Sequence, residues 1–149
     1  MHLDYKISNA ICEDNDTYFN YIDNRLKEAS KFNIKYVVVH ASKGDNPPLL
    51  GEKGINKLRL IMNKYANNDI YLCFENIRVN TNLDIIVNSN INNIGVCYDV
   101  GHAHCYDNEF DMLNKYKENI LCTHLHNNIG EDSHNSLDEG EININMIVH

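Results

Sequence analysis

The stretch from Cys97 to Cys105 reads CYDVGHAHC and follows the apolar NNIGV. It sets Asp99, His102 and His104 within six positions of one another. Three further apolar runs end in comparable groups: one in His40, one in Glu75, and one in His124 with His126 just beyond. Asp132 and His134 lie two apart in NNIGEDSHNSLDEGE. Carboxylate oxygen and imidazole nitrogen bind Zn²⁺, Mn²⁺ or Co²⁺ well, and Mg²⁺ prefers mainly oxygen. A Glu, an Asp and a His around one divalent ion leave positions open for substrate oxygens, and the ion can polarise a carbonyl or stabilise an enediolate. A carboxylate beside it can take a proton from carbon.

Other chemistries are poorly supplied. The chain has no G-x-S-x-G elbow, and neither G-x-G-x-x-G nor G-x-x-x-x-G-K occurs. His104 beside Cys105 forms a Cys–His pair, but nothing in the sequence activates the thiol. The cysteines are Cys12, Cys73, Cys97, Cys105 and Cys122, with no C-x-x-C spacing. Cys73, Cys97 and Cys122 lie inside apolar runs and read as reduced core thiols.

The elements that must position these groups are legible as periodic segments. Ile34–His40, Ile70–Asn76, Ile94–Val100 and Ile120–His126 are short, β-branched or aromatic, and nearly continuous. Such runs are strands buried on both faces of a parallel sheet. Between them lie helical patterns. DTYFNYIDNRLKEASKF places Tyr18, Ile22, Leu26 and Ala29 on one face, with Asp16 as N-cap. INKLRLIMNKYA, NLDIIVNSN and NEFDMLNKYKEN follow. Alternating strands and helices predict βαβ units with right-handed crossovers. In an open parallel sheet or a (βα)8 barrel, the C-terminal strand ends form one face, where sites are built. His40, Glu75, Asp99 and His124 are therefore expected at one mouth.

Composition bounds the answer. With 43% hydrophobic and 23% charged residues, the 149-residue chain is globular and suits one domain. No apolar run is long enough to span a bilayer, and MHLDYKISNA is not a signal peptide, so a cytoplasmic protein without a membrane partner is expected. The net charge of −8 argues against a nucleic-acid partner.

Five stretches, VVVHAS, LCFEN, YDVGHAH, THLHNN and GEDSHNSLDEGEIN, each at its own strand end, carry a resemblance. In this order they resemble the xylose isomerase-like TIM barrels. That superfamily includes sugar phosphate isomerases and epimerases, ketose 3-epimerases and the endonuclease IV group. The resemblance implies a partial (βα)8 barrel, roughly strands three to seven, as one incomplete domain over residues 1–149. It implies that Glu75, Asp99 and His124 bind a divalent metal (Mn, Co, Mg or Zn). It further implies that Glu75 also transfers a proton and that His102 contacts substrate. In the endonuclease-like branch, His2, His40, Asp132 and His134 would hold further zinc ions. Asp4 stands where that branch commonly has proline, and Asn127 where aspartate is usual.

The expected function is therefore isomerisation or epimerisation of a small sugar or sugar phosphate. The alternatives are an endonuclease IV-like zinc phosphodiesterase acting on abasic DNA, and a non-catalytic barrel fragment. A second glutamate expected on the last barrel strand has no counterpart here. An unclosed sheet exposes edge groups, so self-association or a complementing chain is also expected. His104, His126 and His149 receive no assignment, although a period of two puts His126 on the face of His124.

Overall fold

The structure is a computed structural model that describes residues 1–12, 15–106 and 109–147; His149 lies outside the described residues. Helix α1, Asp16–Lys31, precedes strand β1, Tyr36–His40. Then follow α2 (Glu52–Asn63), β2 (Tyr71–Glu75), α3 (Thr81–Val87) and β3 (Ile94–Asp99). The order continues with α4 (Val100–Tyr106), α5 (Glu109–Tyr116), β4 (Ile120–His124) and α6 (Ile144–Ile147). The four strands pair in sequence order, and every pairing is parallel. A single parallel bridge from His2 to Val38 adds a fifth position beside β1. This is part of a (βα)8 barrel, as the sequence predicts.

The strands separate their side chains by alternation. Val37, Val39, Leu72, Phe74, Val96 and Tyr98 join the main core, packed under the helices. From α1 the core takes Tyr18, Phe19, Ile22, Leu26 and Ala29. Full burial of each of the larger residues is worth about 1.5–3 kcal/mol. The opposite, concave face is built in layers. Tyr36, Tyr71 and Leu121 pack against Val38, Cys73, Cys97 and Cys122. Two residues further along the strands stand His40, Glu75, Asp99 and His124, with His40 opposite Glu75 and Asp99 opposite His124 in the register.

A bulge makes this register possible. Val96 pairs with Ile120, but Cys97 pairs with Cys122, so Leu121 is the extra residue. Without that one-residue shift, Cys122 and His124 would turn to the helix side. Leu121 fits because residue 95 is glycine. A Cβ there would lie 2.4 Å from Leu121 Cδ1 and 2.8 Å from the Asn119 carbonyl.

Several details differ from the sequence reading. The cap of α1 is Asn15, whose side chain accepts the Thr17 N–H, and Asp16 is the first helical residue instead. Strand β4 stops at His124 rather than His126. Residues 100–106 form a helix, and Tyr5–Ile11 form a 3₁₀ helix capped by Asp4. Among the described residues, no helix is long and apolar enough to cross a membrane.

Candidate metal centre

Glu75 ends β2 and is 2% exposed. Its Oε2 lies 2.8 Å from His2 Nε2 and 3.3 Å from His40 Nε2. Its Oε1 lies 3.2 Å from His124 Nδ1 and 3.4 Å from His102 Nδ1. One carboxylate thus faces four imidazoles from four different segments. Burial opposes its ionisation, but hydrogen bonds from His124, His2 and His40 outweigh burial and hold the carboxyl well below its ordinary range. The partners shift the opposite way. His2 is raised, chiefly by its hydrogen bond to Glu75. Its Nδ1 also faces the Leu3 carbonyl at 2.8 Å, so both ring nitrogens carry protons. Asp99 and Glu75 together push His124 up to about 10.

Asp99 is fully buried at the end of β3. Asn76 grips its backbone, accepting the Asp99 N–H at 2.6 Å and donating to its carbonyl at 2.9 Å. Its two carboxylate oxygens have different surroundings. Oδ1 accepts the His102 N–H at 2.7 Å, which caps α4, and the His126 Nε2–H at 3.0 Å. Oδ2 is buried without a hydrogen-bond partner, and His124 Nδ1 stands 3.6 Å away. Its charge is met across that gap by the His124 imidazolium, without a hydrogen bond.

His102 sits in the first turn of α4. Its Nδ1 donates to the Asn76 carbonyl at 2.9 Å, which fixes the tautomer and leaves Nε2 facing Asp132 Oδ2 at 3.5 Å. Asp132 in turn lies 3.0 Å from His134 Nε2. The loop bearing both residues is held by Asn127. Its amide donates to the carbonyls of Leu137 and Ile142, and its carbonyl accepts the N–H of Ile142. Aspartate could not donate there, which accounts for the amide at this position.

Among the described residues the donor atoms form three overlapping groups, each with all its ligand atoms within 4.8 Å of one another: Glu75, Asp99 and His102; His2, His40 and Glu75; and His102, His126, Asp132 and His134. These side chains line a cleft of about 800 Å³. Every site residue expected from the sequence is in this cleft: Glu75, Asp99, His102, His124, His2, His40, Asp132 and His134. The mixed oxygen and nitrogen donors, the Asp99 Oδ2 that makes no hydrogen bond and the crowded imidazoles fit a divalent cation. His104 sits apart, with Nε2 3.9 Å from a Glu141 oxygen.

His126 is one of the three histidines that the sequence reading left unassigned. It is buried, bonded to Asp99, and stacked on His134 with centroids 3.9 Å apart and planes 4° apart. Gly101 makes the room, since a Cβ there would lie 1.9 Å from the His126 ring. The signal in the sequence was the H-x-H pair of His124 and His126 together with the glycine in DVGH.

Parallel strands paired in sequence order, with a polar cluster on the C-terminal rim, are the arrangement of a TIM-type (βα)8 barrel. A family model described as "Xylose isomerase-like TIM barrel" matches residues 4–149, and the chain belongs to that family. Among solved structures, the chain is similar to a D-tagatose 3-epimerase-like protein (20% identity, TM-score 0.73) over 99% of this chain and 63% of that one. It is also similar to a xylose isomerase domain protein from Planctomyces limnophilus (13% identity, TM-score 0.70), covering 91% and 54% of the two chains. A third is the 3-keto-D-glucoside 4-epimerase from E. coli (16% identity, TM-score 0.64), covering 87% and 56%. The chain therefore spans between about half and two thirds of the length of these structures. A search of curated proteins gives no match.

Proposed function

We propose that this chain carries the metal centre of an isomerase or epimerase acting on a small sugar or sugar phosphate, with Glu75, Asp99 and His124 as the ligands of one divalent cation. The observation that supports the reading is that His124 Nδ1 lies 3.2 Å from Glu75 Oε1 and 3.6 Å from Asp99 Oδ2 beneath an open cleft, with that Asp99 oxygen making no hydrogen bond. A bound cation would supply Lewis-acid polarisation of a substrate carbonyl. The chain's own residues supply the rest. Glu75 takes or returns a proton at the carbon beside that carbonyl. His102, with its tautomer fixed through Nδ1, presents Nε2 to a substrate hydroxyl. Asp132 and His134 line the cleft beside it.

A second reading, hydrolysis of a phosphodiester by several zinc ions, is favoured by one observation. His102, His126, Asp132 and His134 supply a second donor group beside the first. The loop that bears two of them also exposes Glu131, Asp138, Glu139 and Glu141, which repel a polyanion.

Metal-stripped protein titrated with Mn²⁺, Co²⁺ and Zn²⁺ and then incubated with ketoses in D₂O separates the two. One Mn²⁺ or Co²⁺ per chain with deuterium entering beside the carbonyl supports the isomerase reading. Two or three Zn²⁺ with cleavage of abasic DNA and no deuterium uptake would replace it with the second.

A further inference from the structure

Building on the isomerase reading above, we infer that a side pocket lined by Ser42, Lys43 and Arg78 receives the terminal phosphate of the substrate, so that the centre selects a phosphorylated sugar over a free one. The pocket holds about 240 Å³ and shares His40, His102 and Asp132 with the main cleft. A sugar whose reacting carbon lies over Glu75 therefore extends its far end past His40 and His102 into this pocket.

The pocket is where fixed positive charge meets the cleft. Among the described residues, the main cleft is lined by no lysine or arginine, whereas the side pocket is lined by Lys43 and Arg78, in a chain of net charge −8. The loop that carries Lys43 is braced. Asn9 accepts the Lys43 N–H at 2.6 Å and donates its amide to the Lys43 carbonyl at 3.0 Å. Lys43 Nζ stands 5.2 Å from the centre of the Tyr5 ring, and Tyr5 lines the main cleft, which places the ammonium beside both cavities. Ser42 is fully buried in the pocket wall, and its Oγ makes no hydrogen bond. Buried hydroxyls are nearly always paired, and a phosphate oxygen would supply the acceptor.

Two carboxylates also line the pocket, and both face cations or imidazoles. Asp132 lies 3.0 Å from His134 and 3.5 Å from His102. Asp45 Oδ1 lies 2.9 Å from Arg78 Nη1, with the two side chains 64% and 62% exposed. Exposed pairs of this kind contribute little, so Arg78 can exchange Asp45 for a phosphate, whose oxygens its planar fork grips two at a time. A phosphate monoester carries about two negative charges at neutral pH, which two fixed cations match. A phosphodiester carries a single charge and a free sugar none.

The test titrates the metal-free, isotope-labelled full chain with fructose, fructose 6-phosphate and inorganic phosphate, reading affinity by calorimetry and location by amide shifts. The ester should bind about ten-fold tighter than the sugar or more, the worth of one hydrogen bond to a charged group. The backbone amides of Ser42, Lys43, Gly44 and Arg78 should shift. Lys43 and Arg78 are exposed, so Lys43→Gln/Arg78→Gln should fold normally and abolish the preference without weakening fructose. Equal affinities, no binding of the ester, or shifts confined to the surroundings of His2 and His124 would overturn the assignment. Inorganic phosphate binding as tightly as the ester would also overturn it, because the site would then hold free phosphate. A preference that the double variant loses supports the subsite even where the Mn²⁺-loaded chain exchanges no deuterium; that combination removes the isomerase reading alone.

Discussion

Replacing Gly101 with alanine should damage the protein and the proposed metal centre together. The new Cβ would lie 1.9, 2.2 and 2.4 Å from three atoms of the His126 ring. That ring has little room to retreat, because it is 7% exposed and stacked on His134. Any retreat lengthens the 3.0 Å bond to Asp99 Oδ1. Overpacking a close-packed site costs about 1–3 kcal/mol. Losing a hydrogen bond to a charged group costs about 1.5–3 kcal/mol. Together they predict a loss of about 2.5–6 kcal/mol, which is about 5–24 °C in melting temperature for a chain of this length. Urea denaturation of the metal-free protein measures it. The double variant Gly101→Ala/His126→Ala should be less destabilised than the sum of the two single variants, because removing the ring makes room for the methyl group. A loss below about 1 kcal/mol in Gly101→Ala, or additivity within about 0.5 kcal/mol, would refute the packing argument.

Glu75→Gln keeps the volume but removes the charge that four imidazoles face; cation affinity by calorimetry should fall at least ten-fold and deuterium exchange should cease. Metal-free stability should depend on pH through His124. Folding favours its protonated form, so that contribution is complete below about 6.5 and fades as pH rises through about 10. Urea midpoints between pH 6 and pH 10 should therefore decline toward the alkaline end, and a flat profile would count against the pairing. For the same reason a cation must displace the His124 proton, so its apparent affinity should rise with pH up to about 10, with proton release visible as a buffer-dependent binding enthalpy. Asn127→Asp keeps the acceptor but removes both amide donations. It should loosen the loop carrying Asp132 and His134, read as faster amide exchange there, with less effect on binding at Glu75 and Asp99.

The strands were readable because each is a continuous apolar run, and their polar ends pointed to the candidate site because a parallel sheet gathers its C-terminal ends on one face. That logic brought Glu75, Asp99 and His124 to one cleft without any side-chain geometry. Helix α4 was hidden because Gly101 and two histidines have low helix propensity. It forms because Asp99 caps it and its first turn packs beside His126. The bulge at Leu121 was invisible because an extra residue leaves no periodic trace in so short a strand. Its only hint is Gly95, whose missing side chain admits Leu121. His126 reaches Asp99 from beyond the end of β4, so strand alternation alone could not place it. The thiol layer depends on that same bulge, which is why three cysteines far apart in sequence gave no sign of meeting.

The most direct measurement is anomalous diffraction from crystals soaked in Mn²⁺. A strong peak enclosed by Glu75, Asp99 and His124 is the predicted result. A map with manganese bound elsewhere and none among these three side chains would contradict the proposed centre.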